Sequence, residues 1–238
     1  MASTTQQAVQ EKYAVSSKTY DAVRLEDPRG ALLSNFDIEL VRKMVRDIPR
    51  SAATLEAGAG TGRFTLPMIA EGFRPIATDI NDSLLEGLRE RLNAEGLAGS
   101  CTVQNESIFQ LSFPDAQFDF IYSFHVIPRF LSFEDQQQAL TELARVLKPG
   151  GKLFFNFWNQ SSLLGGITKA YVTPAAKIDE LLASLGLRVV KRRGKRLLSK
   201  SVLQRLPLLG GRLLTALERP FSGFMPHRAW DVFVLAEK

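Results

Sequence analysis

The sequence predicts an α/β fold: a doubly wound, mostly parallel sheet of seven strands with helices on both faces. Three observations carry that expectation. From Ser51 onward, short apolar runs alternate with segments whose apolar residues recur at helical spacing. The first apolar run ends in three glycines at every second position, "TLEAGAGTGRF" at 54–64, directly before a helical segment. Glycine and proline stand where those helices must stop or start, as at Gly72, Pro149 and Pro174. With 238 residues, 45% of them hydrophobic and 23% charged, the chain is long enough to bury one such core.

Taken in order, residues 1–50 read as largely helical, with the amphipathic stretch IELVRKMVRDI, and are expected to form a cap over the strand ends. SAATLEAG is the first strand and RFTLPMIAEG a helix stopped by Gly72. RPIATDI is the second strand. Asn81 or Asp82 can cap the next helix, in which Leu84, Leu85, Leu88 and Leu92 share one face. CTVQNES and FDFIYSFHVI are the third and fourth strands, and SFEDQQQALTELARVLKPGG is a helix stopped by Pro149 and two glycines. KLFFNFWN is the fifth strand, VTPAAKIDELLASLG a helix, and LRVVKRRG and AWDVFVLAEK a terminal strand pair. Residues 51–238 then form one domain, with 196–226 as an inserted helical connection and possible roof for a substrate.

Composition excludes several classes. No apolar stretch approaches the ~20 residues that span a bilayer, and the polar N-terminus lacks a secretory apolar run. The single Cys101 forbids an internal disulfide, and no Cys/His cluster suggests a metal; a cytoplasmic location is expected. The net charge of +5 is local: nine basic residues lie between Arg188 and Arg212, and without them 21 basic residues face 25 acids. That stretch is a candidate contact for anionic lipid at a membrane surface, a substrate roof or a solvated face. Basic residues without interleaved aromatics do not favour specific nucleic-acid binding.

A strand, a glycine turn and a helix make a cofactor-binding arrangement, because a ligand can approach backbone that carries no Cβ. Dinucleotide sites use G-x-G-x-x-G. Here the spacing is E-x-G-x-G-x-G, and the Glu56 carboxylate suits a ligand bearing an ammonium or sulfonium better than a pyrophosphate.

These motifs, with "IATDIN", "VQNESIF", "FDFIYSFHVIPRF" and "ELARVLKPGGKLFF" in that order, resemble the class I S-adenosylmethionine (SAM)-dependent methyltransferases over about residues 50–195. The resemblance implies SAM as cofactor and no metal. It implies that Glu56, Gly58, Ala59, Gly60 and Gly62 hold the methionine end. Asp79 would bind both ribose hydroxyls, with Ile80 beside it, since a carboxylate offers two acceptors to two donors. Glu106 and Ser107 would meet the adenine edge and Ile108 its face, with Glu106 standing where Asp is more usual. Phe124 would line the pocket, and Tyr20 and Arg24 would close over the methionine moiety. AWDVFVLAEK would be the last, antiparallel strand.

Methyl transfer from a sulfonium is an in-line displacement that needs alignment and exclusion of water. His125, after the fourth strand, is the candidate general base or substrate-orienting group. After that strand the chain reads "SFHVIPRF", not the Asn/Asp-Pro-Pro-aromatic pattern of enzymes that methylate nucleic-acid amino groups. The acceptor implied is a small molecule: a natural product, sugar, quinone or lipid-like intermediate. The alternative is a SAM-binding module without catalysis, acting in regulation or interaction. The oligomeric state is left open.

Overall fold

The computed structural model describes residues 28–162, 171–195 and 226–238. Helix α1 (Pro28–Met44) precedes an alternation of β1 (Thr54–Ala57), α2 (Thr65–Ala70), β2 (Pro75–Asp79), α3 (Asp82–Ala94), β3 (Thr102–Asn105) and β4 (Phe118–Ser123). Then follow α4 (Phe133–Val146), β5 (Leu147–Trp158), α5 (Ala175–Ser184), β6 (Arg188–Gly194) and β7 (Asp231–Glu237). The seven strands form one sheet in the order β3-β2-β1-β4-β5-β7-β6. Strands β1 to β5 run parallel, and β7 lies antiparallel between β5 and β6.

Strand order reverses between β1 and β4, so their following loops diverge and leave a crevice at the carboxyl ends. The strands beside it are apolar on both faces because helices cover both. Leu55 and Ala57 of β1 join the core with Leu140, Leu143, Phe155 and Ile178. On the opposite face, Phe120, Tyr122, Phe154 and Phe233 pack with Val41, Met44 and Val45 at the end of α1. The N-terminal helix is therefore part of the core: Ser34, Asp37, Val41, Met44, Val45 and Ile48 form one buried stripe at helical spacing.

Local signals explain the element ends. The Asn81 side chain caps α3 by accepting from the Ser83 N–H, and Ser132 caps α4 by accepting from the Asp135 N–H. Two boundaries differ from expectation. Helix α4 ends at Val146, and β5 begins at Leu147, so the Pro-Gly-Gly stretch lies within the strand's span and not between two elements. The irregularity is absorbed by a register shift opposite β4, while Gly150 and Gly151 pair with Lys238 at the end of the chain. Strand β4 stops at Ser123, because His125 takes a left-handed φ of 61° and the chain turns into a short helical turn, Ile127–Arg129.

Candidate active site

The loop from Gly58 to Phe64 carries the glycines into the crevice. Gly58 and Ala59 both donate their N–H groups to the Thr78 carbonyl, at 2.7 and 2.8 Å, tying the loop to β2. Gly58 has φ +84°, and a Cβ there would lie 2.1 Å from Val126 Cγ2, so no larger residue fits against the loop after β4. A Cβ on Gly60 would meet no atom within 4 Å, so that side of the turn is bare towards the cavity. Gly62 serves packing: its Cβ would strike Leu88 and Leu66.

Asp79, at the end of β2, accepts from the Gly60 N–H at 2.9 Å and from the Asn81 N–H at 3.0 Å. Burial raises its pKa, and those backbone N–H groups partly offset the rise. One carboxylate thus fixes the turn and stays beside an open cavity. Gly58, Ala59, Gly60, Asp79 and Ile80 line one side of it. Glu106, Ser107 and Ile108 line a second, and Phe124 and His125 a third. Sequence reasoning missed Arg63, Phe64, Val126, Arg129 and Phe130, which also line it. Their only sequence signal was adjacency to the glycine turn and to β4.

Glu56 and Gly62 do not line this cavity. The Glu56 side chain turns back under the sheet, where its Oε2 accepts from Thr65 Oγ1 at 2.6 Å and from Tyr122 Oη at 3.0 Å. Burial pushes its pKa up to about 7 against those two hydrogen bonds. Glu106 lines the cavity, but its carboxylate already accepts from the Ser112 N–H and hydroxyl. Tyr20 and Arg24 lie outside the described residues.

His125 is held on both sides. Its backbone N–H donates to Asn156 Oδ1 at 2.7 Å, which orients the amide: Asn156 Nδ2 donates to Asp231 Oδ1 at 2.7 Å and lies 3.4 Å from His125 Nδ1. An NH₂ faces Nδ1, so Nδ1 accepts and Nε2 carries the proton. Nε2 lies 3.1 Å from Asp37 Oδ2 and donates to it. Burial lowers the ring pKa to about 4 despite Asp37 and Asp231. Both ring nitrogens thus have a partner supplied by the chain, while the ring also lines the cavity.

Asp37 itself is 1% exposed and pairs with Arg63, His125 and Lys195. Burial would raise its pKa, but Lys195, His125 and Arg63 together hold it well below the usual carboxylate range. Ligand atoms of Asp37, His125 and Asp231 lie within 4.8 Å of one another. Two cations already face Asp37, and Asn156 bridges the other two, so both carboxylates have partners supplied by the chain.

Four of the five basic residues in the described part of the basic stretch form ion pairs. Arg188, Lys191, Arg192 and Lys195 pair with Glu237, Asp47, Asp179 and Asp37. Arg193 is exposed, and residues 196–212 lie outside the described residues. Among the described residues no helix is long and apolar enough to cross a membrane.

Comparison with known proteins places this geometry. Residues 55–155 match the methyltransferase domain family. The ubiquinone/menaquinone biosynthesis C-methyltransferase UbiE of Azotobacter vinelandii is 34% identical over 145 residues, covering 59% of this chain and 54% of the relative. That of Proteus mirabilis is 31% identical over 151 residues, covering 60% and 59%. The chain thus spans little more than half the length of these relatives. Magnesium protoporphyrin IX methyltransferase from Synechocystis PCC 6803, solved with bound SAH, superposes with a TM-score of 0.68 at 14% identity, over 98% of this chain and 99% of that one. A sarcosine dimethylglycine methyltransferase described from Galdieria sulphuraria gives 0.61 at 18% identity, over 88% and 87%. Domain match, strand order and shared fold together make the chain similar to the class I SAM-dependent methyltransferases.

Proposed function

We propose that the chain transfers the methyl group of SAM to a small-molecule acceptor, with a quinone precursor methylated at ring carbon as the first candidate. The observation that carries the reading is the bare turn at Gly60 held by the Asp79 carboxylate on the cavity wall. The likeness to quinone C-methyltransferases supports the acceptor class. SAM would supply an activated methyl on a cationic sulfur. Gly58, Ala59 and Gly60 offer backbone to the methionine end, and Asp79, with Ile80 beside it, offers two acceptors to the ribose. Ser107 and Ile108 face the adenine, with Glu106 shared with Ser112. Glu56 lies behind the loop, where a bound cation would favour its ionised form. On this reading residues 51–238 form the domain, and α1 packs against its core.

On this reading the chain aligns and desolvates the reactants, and His125 is a wall of the acceptor side. Phe64 packs tilted against Phe124 with ring centroids 4.8 Å apart and stacks on the His125 imidazole at 5.9 Å. An electron-rich ring carbon needs no protein base: the carbon–carbon bond forms as the sulfur–carbon bond breaks, and the displaced ring proton leaves to solvent. The test is turnover of labelled SAM with a demethylated quinol, alongside calorimetry with SAM and SAH. Binding without turnover on any extract of small molecules would favour the non-catalytic module. No binding of either ligand would refute the proposal.

A further inference from the structure

We infer that Asp37 is a positioning residue of the site: a buried carboxylate on α1 that sets the guanidinium of Arg63 and the imidazole of His125 against the cavity. The geometry is specific. Arg63 follows the glycine turn, and its Nε donates to Ser34 Oγ at 2.9 Å while its Nη2 pairs with Asp37. Ser34 and Asp37 stand three residues apart on the core-facing stripe of α1, so one helical turn grips one guanidinium. Asp37 Oδ2 also takes the His125 Nε2 proton at 3.1 Å, and Oδ1 faces the Lys195 ammonium directly after β6.

Arg63 and His125 line the cavity; Asp37 does not, so it acts through them. His125 needs such a hold because its backbone sits at φ 61°, a conformation a non-glycine residue keeps only when its surroundings fix it. Asn156, bonded to Asp231 on β7, grips the ring from the other edge. The groups facing the imidazole are therefore Asp37 from α1, Arg63 from the loop, Asn156 from β5 and Asp231 from β7. Docking of α1 and the shape of the acceptor wall become one event. The positioning stands on this geometry; its consequence for ligand affinity rests on the proposed function.

The experiment uses the full chain labelled with ¹⁵N. With two histidines in the sequence, a His227→Gln variant assigns the His125 ring signals. Wild type is expected to show an Nε2–H tautomer with a slowly exchanging ring proton, unchanged from pH 6 to 8. In Asp37→Asn, one neutral oxygen must serve Arg63 and Lys195, and the ring proton is expected to lose its protection. SAM affinity, by calorimetry, is expected to fall roughly tenfold to a hundredfold, the worth of one hydrogen bond to a charged group. Asp37→Asn with Lys195→Met, which removes one charge of each sign, is the second variant should the first not fold. A folded variant that keeps the protected ring proton and wild-type affinity, while only melting earlier, reduces Asp37 to a structural ion pair and overturns the inference. If neither variant folds, the wild-type spectrum decides: an Nδ1–H ring, or one titrating between pH 6 and 8, overturns it. Failure of wild type itself to bind SAM would count against the proposed function and leave the ring signals to judge Asp37.

Discussion

Replacing Glu56 with Gln tests the electrostatics beneath the glycine turn. In the folded chain Glu56 holds its proton to about pH 7, against an ordinary value of 4.5. Burial is the main cause, since the side chain is 2% exposed and among the described residues its hydrogen-bond partners are the hydroxyls of Thr65 and Tyr122; the Asp79 charge adds to the rise. Moving from 4.5 to about 7 corresponds to about 3 kcal/mol. The sign follows from proton counting. Between those pH values the folded chain binds a proton that the unfolded chain has lost, so stability is present below pH 4.5 and drains away as pH rises through 7. Gln keeps the shape and an acceptor oxygen but never ionises. Urea denaturation of both proteins at pH 5 and pH 8.5 is the assay. Glu56→Gln should gain on wild type by up to about 3 kcal/mol between the two conditions. Equal differences at both pH values would show that Glu56 is an ordinary carboxylate and refute the argument. The same logic extends to binding: a cationic ligand over the turn favours the carboxylate, so calorimetry near pH 6.5 in buffers of different ionisation enthalpy should detect proton release.

Asp79→Ala should weaken SAM binding by about 1–3 kcal/mol, because it removes the ribose acceptors and frees the Gly60 and Asn81 N–H groups; unchanged calorimetric affinity would remove Asp79 from the site. Gly58→Ala forces a methyl to within 2.1 Å of Val126 at a left-handed φ, and should cost about 1–3 kcal/mol in thermal or urea unfolding. Adding Val126→Ala should recover part of that loss, and no recovery would place the strain elsewhere. His125→Gln should keep kcat within about tenfold of wild type with no new pH dependence between 6 and 9, since the ring nitrogens are committed to Asp37 and Asn156. A hundredfold loss of kcat at unchanged KM would restore His125 as a base.

The fold was legible wherever local chemistry decides structure. The glycine spacing, the Asn81 cap and the alternation of β1 to β5 are short-range signals, and the family resemblance pointed to the acid ending β2. Less legible were features set by distant partners. The insertion of β7 between β5 and β6 is a pairing choice that periodicity does not encode. Glu56 sits within the motif, yet Tyr122, 66 residues away, draws it into the core. Asp37 meets His125 across 88 residues. Its signal existed in weak form, as polar Ser34 and Asp37 on an otherwise apolar stripe. Asn156 within "FFNFW" and Asp231 within "AWDVFV" are polar interruptions of the same kind. A buried polar residue must have partners, so such interruptions mark a network even when its members cannot be matched.

The central claim is that the bare turn and its carboxylate receive SAM. The most direct measurement is a crystal structure of the chain soaked with SAH. The account predicts the ribose hydroxyls on Asp79, the amino-acid end along Gly58–Gly60 and the adenine between Ile80 and Ile108. Density for the ligand elsewhere, or none at concentrations that saturate a known methyltransferase, would contradict it.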